Sequence, residues 1–171
     1  MEYKTNHAQF FTATILEWKY LLKPDKYKDI IIESLYFLVK EKRVEINAFV
    51  IMQNHIHLIW QMLGVHKREN VQRDFLKFTA QNIKGDLIIN HTEVLSKFEV
   101  NAKDRKYQFW ERNPLSIDLF TDVVFIQKLD YIHFNPVRAG YCKIPEEYWY
   151  SSARFYELNI DDFGFLTHYQ H

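Results

Sequence analysis

Two histidines stand one residue apart at positions 55 and 57, inside the apolar run FVIMQNHIHLIW (49–60). On an extended strand, side chains alternate between faces with a period of two. His55 and His57 therefore share one face, while Ile56, Leu58, Trp60 and Met62 point to the other. Two adjacent imidazoles are close enough to bind one divalent ion, although paired strand histidines also occur as hydrogen-bonding or surface residues. A useful site needs a further ligand. The segment KLDYIHFNPVRAG supplies candidates: Tyr131 and Asn135 are four apart, hence on one face of a helix. An amide oxygen could join the metal and a phenol could attack the phosphate that the metal polarises. Asn-Pro is also an ordinary helix end, and spacing alone does not bring this helix to the histidine strand.

Three other chemistries of closely spaced histidines do not fit. A histidine-triad nucleotide hydrolase needs a third histidine where Ile59 stands, and a metallo-β-lactamase-like site needs an acid there. A two-histidine phosphoesterase needs Thr or Ser two residues after each histidine, and neither His55 nor His57 has one.

The elements that must position these residues are legible from periodicity. QFFTATILEW alternates as a first strand. A helix follows, opened by Pro24 and Asp25 and closed by Lys40, Lys42 and Arg43, with Tyr27, Ile31, Leu35 and Leu38 on one face. VEINAFVIM (44–52) and HIHLIWQM (55–62) read as two strands joined by a tight turn at Gln53 and Asn54, where Asn tolerates a positive φ. A second helix is expected from about Glu69 to near Gly85, with Leu76, Ala80, Ile83 and Leu87 on one face. SIDLF reads as a fourth strand. TDVVFIQKLDYIHFN reads as a third helix, capped by Thr121 or Asp122, facing the core with Phe125, Leu129 and Ile132, and stopped by Pro136. The order predicts a ferredoxin-like α+β fold: an antiparallel sheet with helices on one face and the histidine site on the other. His133 is two residues from each of Tyr131 and Asn135, about 160° round the helix from both, and is read as structural. His168 and His171, spaced i, i+3, could bind a metal weakly, and are read as part of a frayed tail.

Composition bounds the class. The chain has 171 residues, 47% of them hydrophobic and 17% aromatic, which suits one folded domain. Its 22 basic and 22 acidic residues cancel, so net charge lends no support to nucleic-acid binding, which would need a local patch. No apolar run approaches the roughly 20 residues of a membrane helix. Cys142 is the only cysteine, which excludes an internal disulfide. The opening MEYKTNHAQFF lacks the features of a secretory leader, so a cytoplasmic location is expected.

FVIMQNHIHLIW resembles the histidine–hydrophobic–histidine (HUH) motif of single-tyrosine transposases. LDYIHFNPVRAGY with EEYWYSSARFY resembles the downstream tyrosine block of the REP-associated tyrosine transposases and their insertion-sequence relatives, and DFLKFTAQNIK resembles their middle helix. The resemblance spans most of residues 8–156, giving a single HUH-like domain over 1–156 and a tail over 157–171. QFWERNPLSIDLF departs from the usual family stretch. The resemblance implies metal ligands at His55, His57 and Asn135, a nucleophile at Tyr131, and magnesium or manganese as the divalent ion. It implies cleavage and rejoining of single-stranded DNA through a 5′-phosphotyrosine link, with no nucleotide cofactor. The DNA partner would be a single strand or a hairpin, no membrane is involved, and a homodimer is compatible. A rival reading is a domesticated module that binds a DNA hairpin without cutting it; a small metal-dependent phosphoesterase is a third. For holding DNA, Arg73, Lys77, Gln81 and Lys84 recur along one polar helix face, with Lys77 the strongest candidate and Trp110 or Trp149 available to stack bases. Such a face can equally be solvated only.

Overall fold

A computed structural model describes residues 7–170. The elements are β1 (Gln9–Thr14), α1 (Asp25–Lys40), β2 (Val44–Ile51), β3 (His55–Met62), α2 (Arg68–Asn90), α3 (Thr92–Ser96), β4 (Leu115–Asp118), α4 (Asp122–Arg138) and α5 (Ala153–Leu158). The strands form one antiparallel sheet in the order β2-β3-β1-β4. With α1 and α2 connecting the strands, this is the ferredoxin-like α+β arrangement predicted above.

The sheet is covered on both faces, which corrects the expectation of helices on one side only. On the first face, Phe11 and Ala13 of β1 and Ile56, Leu58, Trp60 and Met62 of β3 pack with Tyr27, Ile31, Leu35 and Leu38 of α1 and Phe75, Ile83 and Leu87 of α2. On the second, Phe10, Ala48, Val50 and Ile59 meet Phe125, Leu129 and Ile132 of α4. The second face carries enough apolar area to hold a helix because β2 changes its alternation midway. Ile46 pairs with Trp60 and Ala48 with Ile59, leaving Asn47 as an extra residue in a bulge. A bulge resets which side chains face which way. Val44 and Ile46 thus join the first core, Ala48 and Val50 the second.

Three local expectations need correction. α2 runs through Gly85 to Asn90, and its buried stripe is Val71, Phe75, Thr79, Ile83 and Leu87, with Leu76 and Ala80 on the half-buried shoulder. One glycine costs only about 1 kcal/mol, which that stripe outweighs. Pro136 lies inside α4, which ends at Arg138; in the last turn a proline forfeits one hydrogen bond rather than a ladder of them. Neither Gln53 nor Asn54 adopts a positive φ. Their carbonyls instead accept from Leu22 and Ile15, at 2.9 and 2.8 Å, so the turn is bolted to the segment after β1. Thr121 does cap α4, accepting from the Val124 N–H at 3.3 Å.

The segment after α5 lies against the sheet rather than fraying. Asp161 accepts from the N–H groups of Phe163, Gly164 and Leu166, Phe165 is buried, and Leu166 bridges to Ile46 of β2. His168 sits 4.8 Å from the Tyr156 ring, and His171 lies outside the described residues.

Candidate functional site

β3 pairs with β1 so that Thr14 faces His55 and Thr12 faces His57. Both rings stand on the α4 side of the sheet, with centroids 4.8 Å apart. Each Nδ1 is engaged by a neighbour: that of His57 by Thr12 Oγ1 and that of His55 by Asn54 Oδ1, both at 2.7 Å. Burial lowers the pKa of His55, opposed by a hydrogen bond with the Asn135 side chain. Burial also pushes His57 down to about 3, helped by repulsion from His55, Lys128 and Arg138. Both imidazoles are neutral near pH 7, the form that binds metal.

α4 completes the cluster. Its inner stripe fixes the helix on the sheet, and the adjoining flank presents Lys128, Tyr131, Asn135 and Arg138 at spacings of three, four and three. The Tyr131 ring meets His57 edge to face at 5.3 Å and Phe10 at 6.0 Å, and Tyr131 remains 43% exposed. Lys128 Nζ lies 5.8 Å from the centre of the Tyr131 ring and the Arg138 guanidinium 4.7 Å from it. Arg138 also donates to the Tyr131 carbonyl. The fold therefore brings His55, His57, Tyr131 and Asn135 together.

Among the described residues, no group of three or more His, Cys, Asp or Glu side chains is placed to hold a metal ion. A metal at the histidine pair would take its next protein ligand from an oxygen other than a carboxylate, and the Asn135 amide, already in contact with His55, is placed to supply it. Two neutral imidazoles, oriented by partners on their far nitrogens, fit a divalent ion.

Sequence reasoning missed four contributors. Lys128 and Arg138 were detectable from their helical spacing to Tyr131. Thr12 was not, because its role depends on strand register. Trp18 was not either: Glu17 and Trp18 both adopt left-handed φ values, 55° and 58°, which carry the 61% exposed indole to within 5.9 Å of the His55 ring. Non-glycine residues rarely adopt that conformation, and two in succession concentrate strain beside the histidines.

The other predicted residues lie elsewhere. Arg73, Lys77, Gln81 and Lys84 share one wall of a groove of about 870 Å³, whose far wall is the 104–114 loop. Trp110 is buried and donates its indole N–H to Thr79 Oγ1 at 3.1 Å, so it cannot stack on DNA. Trp149 is half exposed, against Phe163 and Arg154 rather than in the groove. His133 is buried, with Nε2 2.8 Å from Ser152 Oγ, as a structural residue would be.

No protein-family model matches the chain. In sequence it is 29% identical over 107 residues to a Haemophilus influenzae protein assigned as a REP-associated tyrosine transposase, an alignment covering 61% of this chain and 56% of that one. In fold it matches a REP-associated tyrosine transposase solved with a REP hairpin, at a TM-score of 0.68 and 18% identity, over 98% of this chain and 90% of the other. A protein from Deinococcus radiodurans assigned as a transposase matches at a TM-score of 0.51 and 12% identity, over 77% of this chain and 92% of its own. In sequence and in fold, the chain resembles the REP-associated tyrosine transposases.

Proposed function

We propose that this protein cuts and rejoins single-stranded DNA by transferring a phosphoryl group to and from Tyr131, in the manner of a transposase acting in the cytoplasm. The observation that carries the reading is the convergence of β3 and α4: two neutral histidines, an amide in contact with one of them, and an accessible phenol against the other. His55, His57 and Asn135 would hold the divalent ion, magnesium or manganese, whose chemistry is to withdraw charge from the scissile phosphate.

Tyr131 Oη attacks phosphorus and gives up its proton to solvent. The bond from phosphorus to the 3′ oxygen breaks, the 3′ oxygen leaves as a hydroxyl after taking a proton, and the 5′ phosphate stays on the tyrosine. Attack by the same or another 3′-hydroxyl reverses the steps and rejoins DNA. The bond energy is conserved in the phosphotyrosine, so no nucleotide cofactor enters. Lys128 and Arg138 flank the phenol and place positive charge where the phosphate must sit. The neighbour solved with a REP hairpin supports a hairpin as the DNA partner.

The test is incubation with end-labelled hairpin DNA and manganese or magnesium, followed by a denaturing gel. A covalent protein–DNA band with the native chain and none with Tyr131→Phe supports the reading. Hairpin binding without any band would instead support a domesticated binding module, and a band persisting in Tyr131→Phe would show another nucleophile.

A further inference from the structure

We infer that the groove between α2 and the 104–114 loop is a binding channel for an unpaired DNA strand, with the loop wall contributing Lys106, Arg112 and Tyr107. This rests on the reading above and adds the path by which the strand reaches the site.

Charge makes the first argument. The groove is lined by six cations, Arg73, Lys77 and Lys84 on α2 and Arg105, Lys106 and Arg112 on the loop, against the two acids Asp104 and Glu111. Asp74, which takes Arg73 at 3.2 Å beside the groove, trims that local excess from four to three, on a chain whose 22 basic and 22 acidic residues cancel, so positive charge is concentrated there. Both lining acids are engaged. Asp104 takes Arg105 and Arg112 at 3.0 and 3.2 Å, and Glu111 Oε1 accepts the Glu17 N–H at 2.7 Å. Lys77, Lys84 and Lys106 have no carboxylate partner among the described residues. Cations left without counter-charges in a concave surface suit a phosphodiester backbone.

The aromatic content makes the second. Tyr107 is the half-buried ring of the groove, with Lys84 Nζ 5.5 Å and Lys106 Nζ 5.4 Å from its centre. Both ammonium groups lie over the ring, so an unpaired base stacks on it as the lysines swing out to the phosphates on either side. A base-paired stem offers no free face to it, which favours a single strand.

Connectivity makes the third. The loop wall is hydrogen-bonded to the end of β1: the Glu111 N–H donates to the Thr14 carbonyl at 2.7 Å and the Leu16 N–H to the Phe109 carbonyl at 2.8 Å. Thr14 is the partner of His55 across the ladder. The groove rim at Glu111 is thus two strand spacings, about 10 Å, from the His55 backbone. A strand leaving the channel there crosses the sheet edge next to Trp18 and enters the histidine–tyrosine cluster.

The experiment measures binding of a fluorescent oligothymidylate across a salt series for the native chain, Lys84→Ala/Lys106→Ala, Tyr107→Ala, and a control, Lys40→Ala/Lys143→Ala, whose lysines are exposed elsewhere. Thermal melts check that each variant is folded. The Lys84/Lys106 variant should lower the slope of log affinity against log salt by about 1.4, about 0.7 for each single-strand phosphate that is no longer neutralised. Tyr107→Ala should weaken binding about tenfold, within the range for one stacked base. The control should match the native chain. Unchanged affinity and slope in both groove variants, or an equal loss in the control, would overturn the inference. The covalent-adduct assay with Tyr131→Phe is independent: a channel that binds without adduct formation leaves this inference standing and removes the proposed function, and the converse holds.

Discussion

The Tyr131 ring stands edge to face against His57, with centroids 5.3 Å apart and planes at 70°. This contact joins the flank of α4 to the middle of the sheet. It makes the phenol and the imidazole pair one unit, although the two lie on elements far apart in the chain.

Thr12 fixes the other side of His57 through the 2.7 Å contact to Nδ1. Partners of this kind orient a ligand ring, and their removal typically weakens metal binding by about 10–100-fold. Thr12→Val keeps the strand shape and removes the hydroxyl. Calorimetric titration with manganese should show that weakening with the melting temperature nearly unchanged; equal affinity would mean that Thr12 does not position the ligand.

Trp18 is exposed beside His55 and held there by left-handed backbone. Stacking a base on an aromatic ring contributes about 1–3 kcal/mol. Trp18→Ala should therefore weaken binding of an unpaired oligonucleotide by about tenfold and leave folding intact. Fluorescence anisotropy reads the effect, and the indole emission of Trp18 should be quenched by DNA in the native chain.

Leu129 anchors the centre of α4 on the second face of the sheet. Leu129→Ala leaves a cavity where the helix meets Ile59 and Phe10, with a stability loss of about 2–5 kcal/mol. Urea unfolding measures it. Covalent adduct yield should fall as well at temperatures where the variant is still folded, because Tyr131 and Asn135 lose their seat.

His133 is held neutral by burial, its pKa lowered to about 4. An unfolded histidine titrates near pH ~6.5. Between those values the unfolded chain binds a proton that the native protein refuses, so stability falls as the pH drops from about 6.5 to about 4, by about 3 kcal/mol in total, and levels off below. His57 adds to the same trend, since its folded value is about 3. In chelator, His133→Gln should make the decline shallower by up to one proton over that window, read from urea midpoints at several pH values. An unchanged profile would mean that His133 is not the titrating group.

The local chemistry was legible in the sequence because it follows from short-range geometry. Period two on β3 puts His55 and His57 on one face, and period 3.6 on α4 puts Tyr131 and Asn135 on one flank; neither needs a partner to be true. The ferredoxin-like order followed from alternation and helix signals for the same reason. What only the tertiary structure decided is contact between distant segments. Whether α4 covers the histidine face depends on the Asn47 bulge, which turns Ala48 and Val50 toward Phe125, Leu129 and Ile132, and a bulge is a property of two strands in register. Thr12 met His57 through that register too. Trp110 looked like a surface aromatic because burial belongs to packing, and α2 covers it. The residue types and their periods come from the chain itself; their meeting at one point is set by how two apolar faces of one sheet are buried.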